Sequence, residues 1–163
     1  MSKKYTHSQQ DPPIVSDCQV EYNISSVTND YHPILAFSNL EYISTNVIKI
    51  IQKGLPKSIL YFLTEHLNVS MDRISDLIHI SHRTLQRKSD NDLLGIHISE
   101  HIVAIIKVIK RGKVVIGSES AFKEWAHAKL PALEEKTPID YMNTSLGCAL
   151  LTRILGRIEH GVY

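Results

Sequence analysis

Cysteine is nearly absent: Cys18 and Cys148 are the two thiols in 163 residues. One lies in a polar stretch and the other in an apolar, periodic one. Neither a disulfide framework nor a zinc-type spacing follows from such a pair, and the usage fits a reducing cytoplasm. The seven glycines are scattered, so no Gly-rich loop exists to cradle a phosphate. No apolar run reaches the roughly 20 residues a membrane helix needs. The opening Met1 to His7 carries Lys3 and Lys4 without an apolar run behind them, so no secretory leader is expected. An excess of charge is lacking as well: 18 Lys and Arg face 17 Asp and Glu, for a net charge of +1. Global attraction to nucleic acid or to an anionic membrane is therefore not implied, and the placement of charge matters more than its sum. A cytoplasmic protein without a membrane segment is expected.

The nine histidines invite a metal reading that their spacing does not support. His97 and His101 are four apart and His79 and His82 are three apart, but neither pair has a third ligand at hand, and no metal site is expected. A Ser-His-Asp set can be picked out of any chain this polar, yet no serine sits in the strained strand-to-helix turn that would activate it. The chain reads as a non-enzyme that needs no cofactor.

Residues 1–43 differ from the rest. They are rich in Ser, Gln, Asn, Asp and Pro, with Pro12-Pro13 and Pro33 as breakers. Two lysines face five acids there (Asp11, Asp17, Glu21, Asp30, Glu41), which predicts an acidic, largely irregular arm. Within it, Val20, Tyr22 and Ile24, and the stretch 34–37, have the makings of short strands or of a docking segment.

From residue 44 the periodicity is helical throughout, and the fold class is all-α. Ser44 is a candidate N-cap for a helix carrying Val47, Ile48, Ile51 and Leu55, ended by Gly54 and Pro56. Ser58 is a candidate cap for a second helix with Ile59, Leu60, Leu63 and Leu67 on one stripe. Ser70 caps a third helix to Ile78, and Ser81 a fourth to about Ser89. A polar connector over 89–98 separates this half from the next. Ser99 is expected to open a long helix that is apolar almost all round (Ile102, Val103, Ala104, Ile105, Ile106, Val108, Ile109). Such a helix is buried on every side, and in a chain this small a second copy is the expected cover, with Ile102, Ile105, Ile106 and Ile109 at the dimer interface. Ser118 caps a helix through Trp125, whose spacing from Phe122 makes it a core residue. Thr137-Pro138-Ile139-Asp140 has a cap, a first-turn proline and an acid at the third position. The last helix, about 145–160, carries Leu150, Leu151, Ile154, Leu155 and Ile158 as its stripe and Gly161 as its stop.

Residues 71–88 have the spacing of a helix-turn-helix. Ser75 is small where two helices must cross, Ile74, Leu77 and Leu85 are apolar where they must lock, and Ile80 plugs the turn. His79 stands where the turn usually has glycine, and His tolerates a left-handed backbone better than most residues. Ser81 then opens a helix whose first amides can meet a phosphate. His82, Arg83, Gln86 and Arg87 face outward with Thr84 among them, and Lys88 points toward the DNA backbone. Arg suits guanine edges and Gln suits adenine edges in the major groove. Because the chain as a whole is not basic, useful affinity would require two copies. The plainer alternative is a pair of bundle helices with a solvated basic face.

The order and spacing of several segments are more specific. They are Arg83 to Lys88, the long apolar helix to Gly117, Ala121 to Trp125, Pro131-Ala132-Leu133, Thr137 to Asp140, Thr144, Gly147, and the closing Leu155 to Tyr163. Together they resemble the Xre-type antitoxins with a MbcA/ParS toxin-binding domain, partners of RES-domain toxins. The resemblance covers about 44–163 and is strongest over 131–163. Glu134-Glu135 stands where a Gly-rich turn is common in that family. The arm (1–43) lies outside it, and the resemblance implies a DNA-binding half (44–98) and a half for dimerisation and toxin binding (99–163). It implies a homodimeric antitoxin that blocks a NAD-degrading toxin with the end of its chain and represses its own operon by binding operator DNA. Carried over by residue, the toxin contacts are Arg153, Gly156, Arg157, Glu159, His160, Gly161, Val162 and Tyr163. Two rival readings remain: a stand-alone helix-turn-helix repressor, and an interaction protein without DNA activity.

Overall fold

A computed structural model describes residues 45–162. The arm at 1–43, Ser44 as a cap, and Tyr163 lie outside the described residues. Helices, turns and two isolated backbone bridges make up the described part: α1 (Thr45–Lys53), α2 (Ile59–Leu67), α3 (Met71–Leu77), α4 (His82–Arg87), α5 (Ile96–Ile116), α6 (Glu119–His127), a 3-10 turn (Pro131–Leu133), α7 (Pro138–Tyr141) and α8 (Ser145–Glu159). The all-α reading holds among these residues.

Local chemistry sets most of the boundaries. The Ser70 hydroxyl accepts from Arg73 N–H, Ser81 from Thr84 N–H, and Ser118 from Ala121 N–H. Each satisfies one of the amides that a helix start leaves open. Asp140 reaches back to accept from the Thr137 hydroxyl (2.6 Å) and N–H (3.3 Å), which ties the first turn of α7. Those bonds, with Arg73 beside them, hold the Asp140 carboxyl below its ordinary range.

Two expected caps differ. Ser58 is already in a helical conformation and its side chain caps nothing. Its N–H instead donates to the Asp90 carbonyl at 2.9 Å. Ser99 does not open the long helix, which starts three residues earlier with Gly95 as its cap. The Ser99 side chain is wholly buried. Its hydroxyl accepts from Leu55 N–H (2.9 Å) and donates to the Leu94 carbonyl (3.3 Å). A polar group this deep is retained because both of its bonding capacities are met.

α5 is the axis of the core. α1, α2, α6 and α8 pack on it, α8 most extensively. The two long helices run in the same direction: His101 near the start of α5 meets the Met142 carbonyl just before α8 (2.8 Å), and Arg111 near its end pairs with Glu159 at the end of α8. Consequently Ile102, Ile105, Ile106 and Ile109 have zero exposure inside a single chain. The expectation that a second copy is needed to cover them is corrected: the chain's own helices do it. Leu55, Leu60, Leu63, Ile74, Leu77, Leu85, Phe122, Met142, Leu151 and Leu155 fill the same core, each contributing about 1.5–3 kcal/mol by leaving water. The core spans residue 98, so the two halves share it.

Candidate functional site

α3, a tight turn and α4 bring the first group of candidate residues together. Ser75 is buried, and its hydroxyl folds back onto the Asp72 carbonyl (2.7 Å) while its own carbonyl accepts from Ile80 N–H (3.0 Å). His79 holds φ at +57°, the left-handed turn the sequence required of it. Leu85 is buried beneath α4. Outward stand Arg83, Thr84, Gln86 and Arg87, with Ser81 at the entry. His82 departs from expectation. It is half-buried, pairs with Asp72 of α3, and takes a hydrogen bond from the Gln86 amide (2.7 Å). Lys88 lies past the helix end, with its ammonium 3.5 Å from the Leu93 carbonyl and its own carbonyl accepting from Lys57 (2.7 Å). The freely presented cations of this surface are thus Arg83 and Arg87.

The second group lies on α8 and behind it. Thr144 caps the helix by accepting from Gly147 N–H (3.0 Å). Gly147 has no room for anything larger, since a Cβ there would sit 1.8 Å from the Tyr141 carbonyl oxygen. Cys148, Leu151, Ile154 and Leu155 face the core. Burial pushes the Cys148 thiol up to about 12, so it carries no thiolate near neutrality. Leu150, expected on the buried stripe, is 36% exposed. It sits on the outer face with Leu146 (82% exposed), Ala149, Arg153 and Arg157. Helical spacing from Leu146 and Arg153 places Leu150 on that outer face and not on the stripe of Leu151, Ile154 and Leu155.

The end of the chain is less free than a loose tail. Gly161 N–H donates to the Ile158 carbonyl (3.1 Å) and Val162 N–H to the Arg157 carbonyl (2.9 Å), with Gly161 at φ +64°. This pair of bonds is the Schellman closure of a helix, and it fixes the backbone through Val162. Glu159 pairs with Arg111 of α5. Arg153, Arg157 and His160 are exposed, and among the described residues neither arginine has an acidic partner.

A junction that periodicity could not foresee joins the two groups. Arg73 of α3 pairs with Asp140 (2.6 Å), His79 donates through Nε2 to the Asn143 carbonyl (2.8 Å), and His101 does the same to Met142. The His79 and His101 rings are stacked with centroids 6.2 Å apart. A cleft of about 440 Å³ lies there, lined by His79, His97, His101 and residues 143–145. Among the described residues no group of three His, Cys, Asp or Glu is placed to hold a metal ion, and no helix is long and apolar enough to cross a membrane. Glu134 (φ +55°) and Glu135 (φ +60°) occupy left-handed conformations beside the Leu130–Lys136 bridge, which is the conformation a Gly-rich turn would supply at no steric cost.

α8 and its fixed end present an outward, cationic helical surface in the last third of the chain. Residues 112–161 match the family described as the antitoxin Xre/MbcA/ParS C-terminal toxin-binding domain. A protein of Sphingobium sp. (strain YBL2) named Prs ADP-ribosylating antitoxin is 26% identical over 126 residues, covering 71% of this chain and 79% of that one. The last third of the chain is thus similar to the toxin-binding domain of the Xre/MbcA/ParS-type antitoxins, and most of the chain is similar to one protein named as an antitoxin.

Proposed function

We propose that the protein neutralises a RES-domain toxin by binding it directly with α8 and the chain end, and that it represses its own operon through α3 and α4. The observation that carries the first part is the exposed face of α8, which lies inside the matched toxin-binding domain and presents Arg153 and Arg157 without acidic partners. Gly156, Glu159, His160, Gly161, Val162 and Tyr163 complete the contact run. The name of the Sphingobium relative points to ADP-ribosyl transfer, a reaction fed by NAD, which agrees with the NAD-degrading toxin the resemblance implies. The antitoxin acts by covering the cleft and not by catalysis. Glu159 reaches the toxin only by leaving Arg111, so Arg153 and Arg157 are its primary charged contacts.

In the second part, Arg83, Gln86 and Arg87 read the operator, Ser81 and Thr84 meet the backbone at the helix entry, and Lys88 adds charge. His82 works by orienting Gln86. Two copies are needed for affinity, and they meet through residues other than Ile102, Ile105, Ile106 and Ile109. A double dissociation tests the whole reading. Arg83→Ala with Arg87→Ala should lower operator affinity more than tenfold in a mobility-shift assay, since each good base contact is worth about 1–3 kcal/mol, and still protect cells from the toxin. Arg153→Glu with Arg157→Glu should do the reverse. If both double variants protect and both shift the operator, the assignment of the two surfaces is wrong.

A further inference from the structure

His82 and Gln86 share one face of α4, since residues four apart are neighbours on a helix. Their contact sets nitrogen against nitrogen: Gln86 Nε2 stands 2.7 Å from His82 Nε2. An amide nitrogen only donates, so this ring nitrogen carries no hydrogen and accepts. The other ring nitrogen, Nδ1, is closed off from water and lies against the Asp72 carboxylate of α3. A carboxylate only accepts, so Nδ1 holds the ring's hydrogen. Both contacts require the same form of the ring, the neutral tautomer with its hydrogen on Nδ1. Asp72, His82 and Gln86 are thus a relay in which the carboxylate sets the ring and the ring sets the amide.

This order decides what α4 shows to DNA. With Nε2 turned in to His82, Oε1 is the outer atom of the Gln86 amide, on an exposed side chain and without a protein partner among the described residues. An amide oxygen only accepts. In the major groove adenine and cytosine offer an amino donor, whereas guanine and thymine offer a carbonyl acceptor. We infer that His82 is a positioning residue that sets the specificity of Gln86: the neutral ring makes Gln86 select an amino-bearing base, and protonation of the ring reverses the choice to a carbonyl-bearing one. The inference rests on the proposed operator reading. A proton taken from solvent goes to Nε2, which then donates. Gln86 answers by turning its amide over, so that Oε1 accepts from the ring and Nε2, a donor, becomes the outer atom. The charged groups on the two helices packed here are few. Asp72 pairs with the ring, Asp76 stands exposed one turn further along α3, Arg73 is turned to Asp140, and Arg83 and Arg87 point outward from α4. Imidazole is the side-chain type that ordinarily changes charge between about pH 5 and 8.

The probe is the protein's own promoter DNA. Duplexes carrying each of the four bases at every footprinted pair are compared by mobility shift, and the pair at which Gln86→Ala erases discrimination is the one Gln86 reads. There wild type at about pH 8.5 should prefer the amino-bearing base about tenfold, and at about pH 5.5 the ratio should fall to about one or invert. His82→Lys, which only donates, should prefer the carbonyl-bearing base at both pH values. His82→Phe should lose the preference and its pH dependence together. A ratio between two duplexes cancels any general gain from added charge. If wild type shifts no duplex at either pH, the proposed operator reading fails and this inference with it. If wild type binds but its ratio is the same at both pH values, or His82→Lys keeps the amino preference, the operator reading stands and the role of His82 is overturned. Discrimination that survives Gln86→Ala at every pair overturns it as well.

Discussion

α4 and α8 are both outward-facing helices with two unpaired arginines, yet they are built differently. α4 has six residues and α8 has fifteen. Much of the polar chemistry around α4 is turned inward: Ser81 bonds Thr84 (2.7 Å), and His82 bonds Gln86 and pairs with Asp72. Between its two ends α8 turns Thr152 back onto the Cys148 carbonyl (2.9 Å) and leaves its outer arginines free of such bonds. A short helix docked on a neighbour gains a fixed orientation from such bonds, at the cost of donors it can offer a ligand. A long helix seated along the core by Cys148, Leu151, Ile154 and Leu155 needs no such help, and its outer face is free for a partner. The difference teaches where each surface gets its rigidity: side-chain hydrogen bonds for α4, core packing for α8.

Breaking the packing should therefore hurt α8 most. Gly147→Ala drives a Cβ into the Tyr141 carbonyl, and overpacking against backbone costs about 3 kcal/mol. Chemical denaturation should show that loss, and toxin binding should fail at temperatures where wild type still binds. A wild-type midpoint would mean that α8 is not held at Gly147.

A smaller effect sharpens the account of α4. Asp72→Asn removes a negative charge beside His82 and loosens the His82–Gln86 pair. Operator affinity should fall about threefold, because Gln86 loses the orientation His82 gives it, and that loss outweighs the removal of one anion facing the phosphates. A rise in affinity would show that Gln86 reads the operator without help from the Asp72–His82 pair.

The smallest effect lies away from both surfaces, at the corner where α2, α5 and α6 meet. Glu119 at the start of α6 accepts from Lys113 (2.6 Å), Lys123 (2.9 Å) and His66 (3.1 Å). These bonds, Lys113 first, lower its carboxyl to about 2. A carboxyl depressed on folding adds stability above its unfolded value, and that share is lost as pH falls from about 4.5 to about 2. Glu119→Gln should lower the thermal midpoint slightly at pH 7 and flatten its decline across that acid window. An unaltered acid limb would place the titrating group elsewhere.

Much of this was legible beforehand for physical reasons. Ser70, Ser81, Ser118 and Thr137 marked helix starts because a cap is a local bond between residues three apart. His79 stands at the left-handed position of the turn, and its φ is +57°. Ser99 misled because a serine before an apolar run looks like a cap whether its hydroxyl serves its own helix or, as here, the Leu55 amide 44 residues away. Ile102, Ile105, Ile106 and Ile109 misled for a related reason. Periodicity says that a helix is buried on all sides, but it does not say by whom.

The sequence by itself determined the helical class, most helix ends, the spacing of α3 and α4, and the closing run that points to an antitoxin. Each depends on contacts within about four residues or on a pattern carried in order along the chain. Only the tertiary structure decided that one chain covers α5, that Glu159 belongs to Arg111, that Asp140 and Asn143 meet Arg73 and His79 across more than 60 residues, and that Gly156 faces open space. Those are pairings between distant segments, set by how α5 and α8 lie against each other, and no local period encodes them.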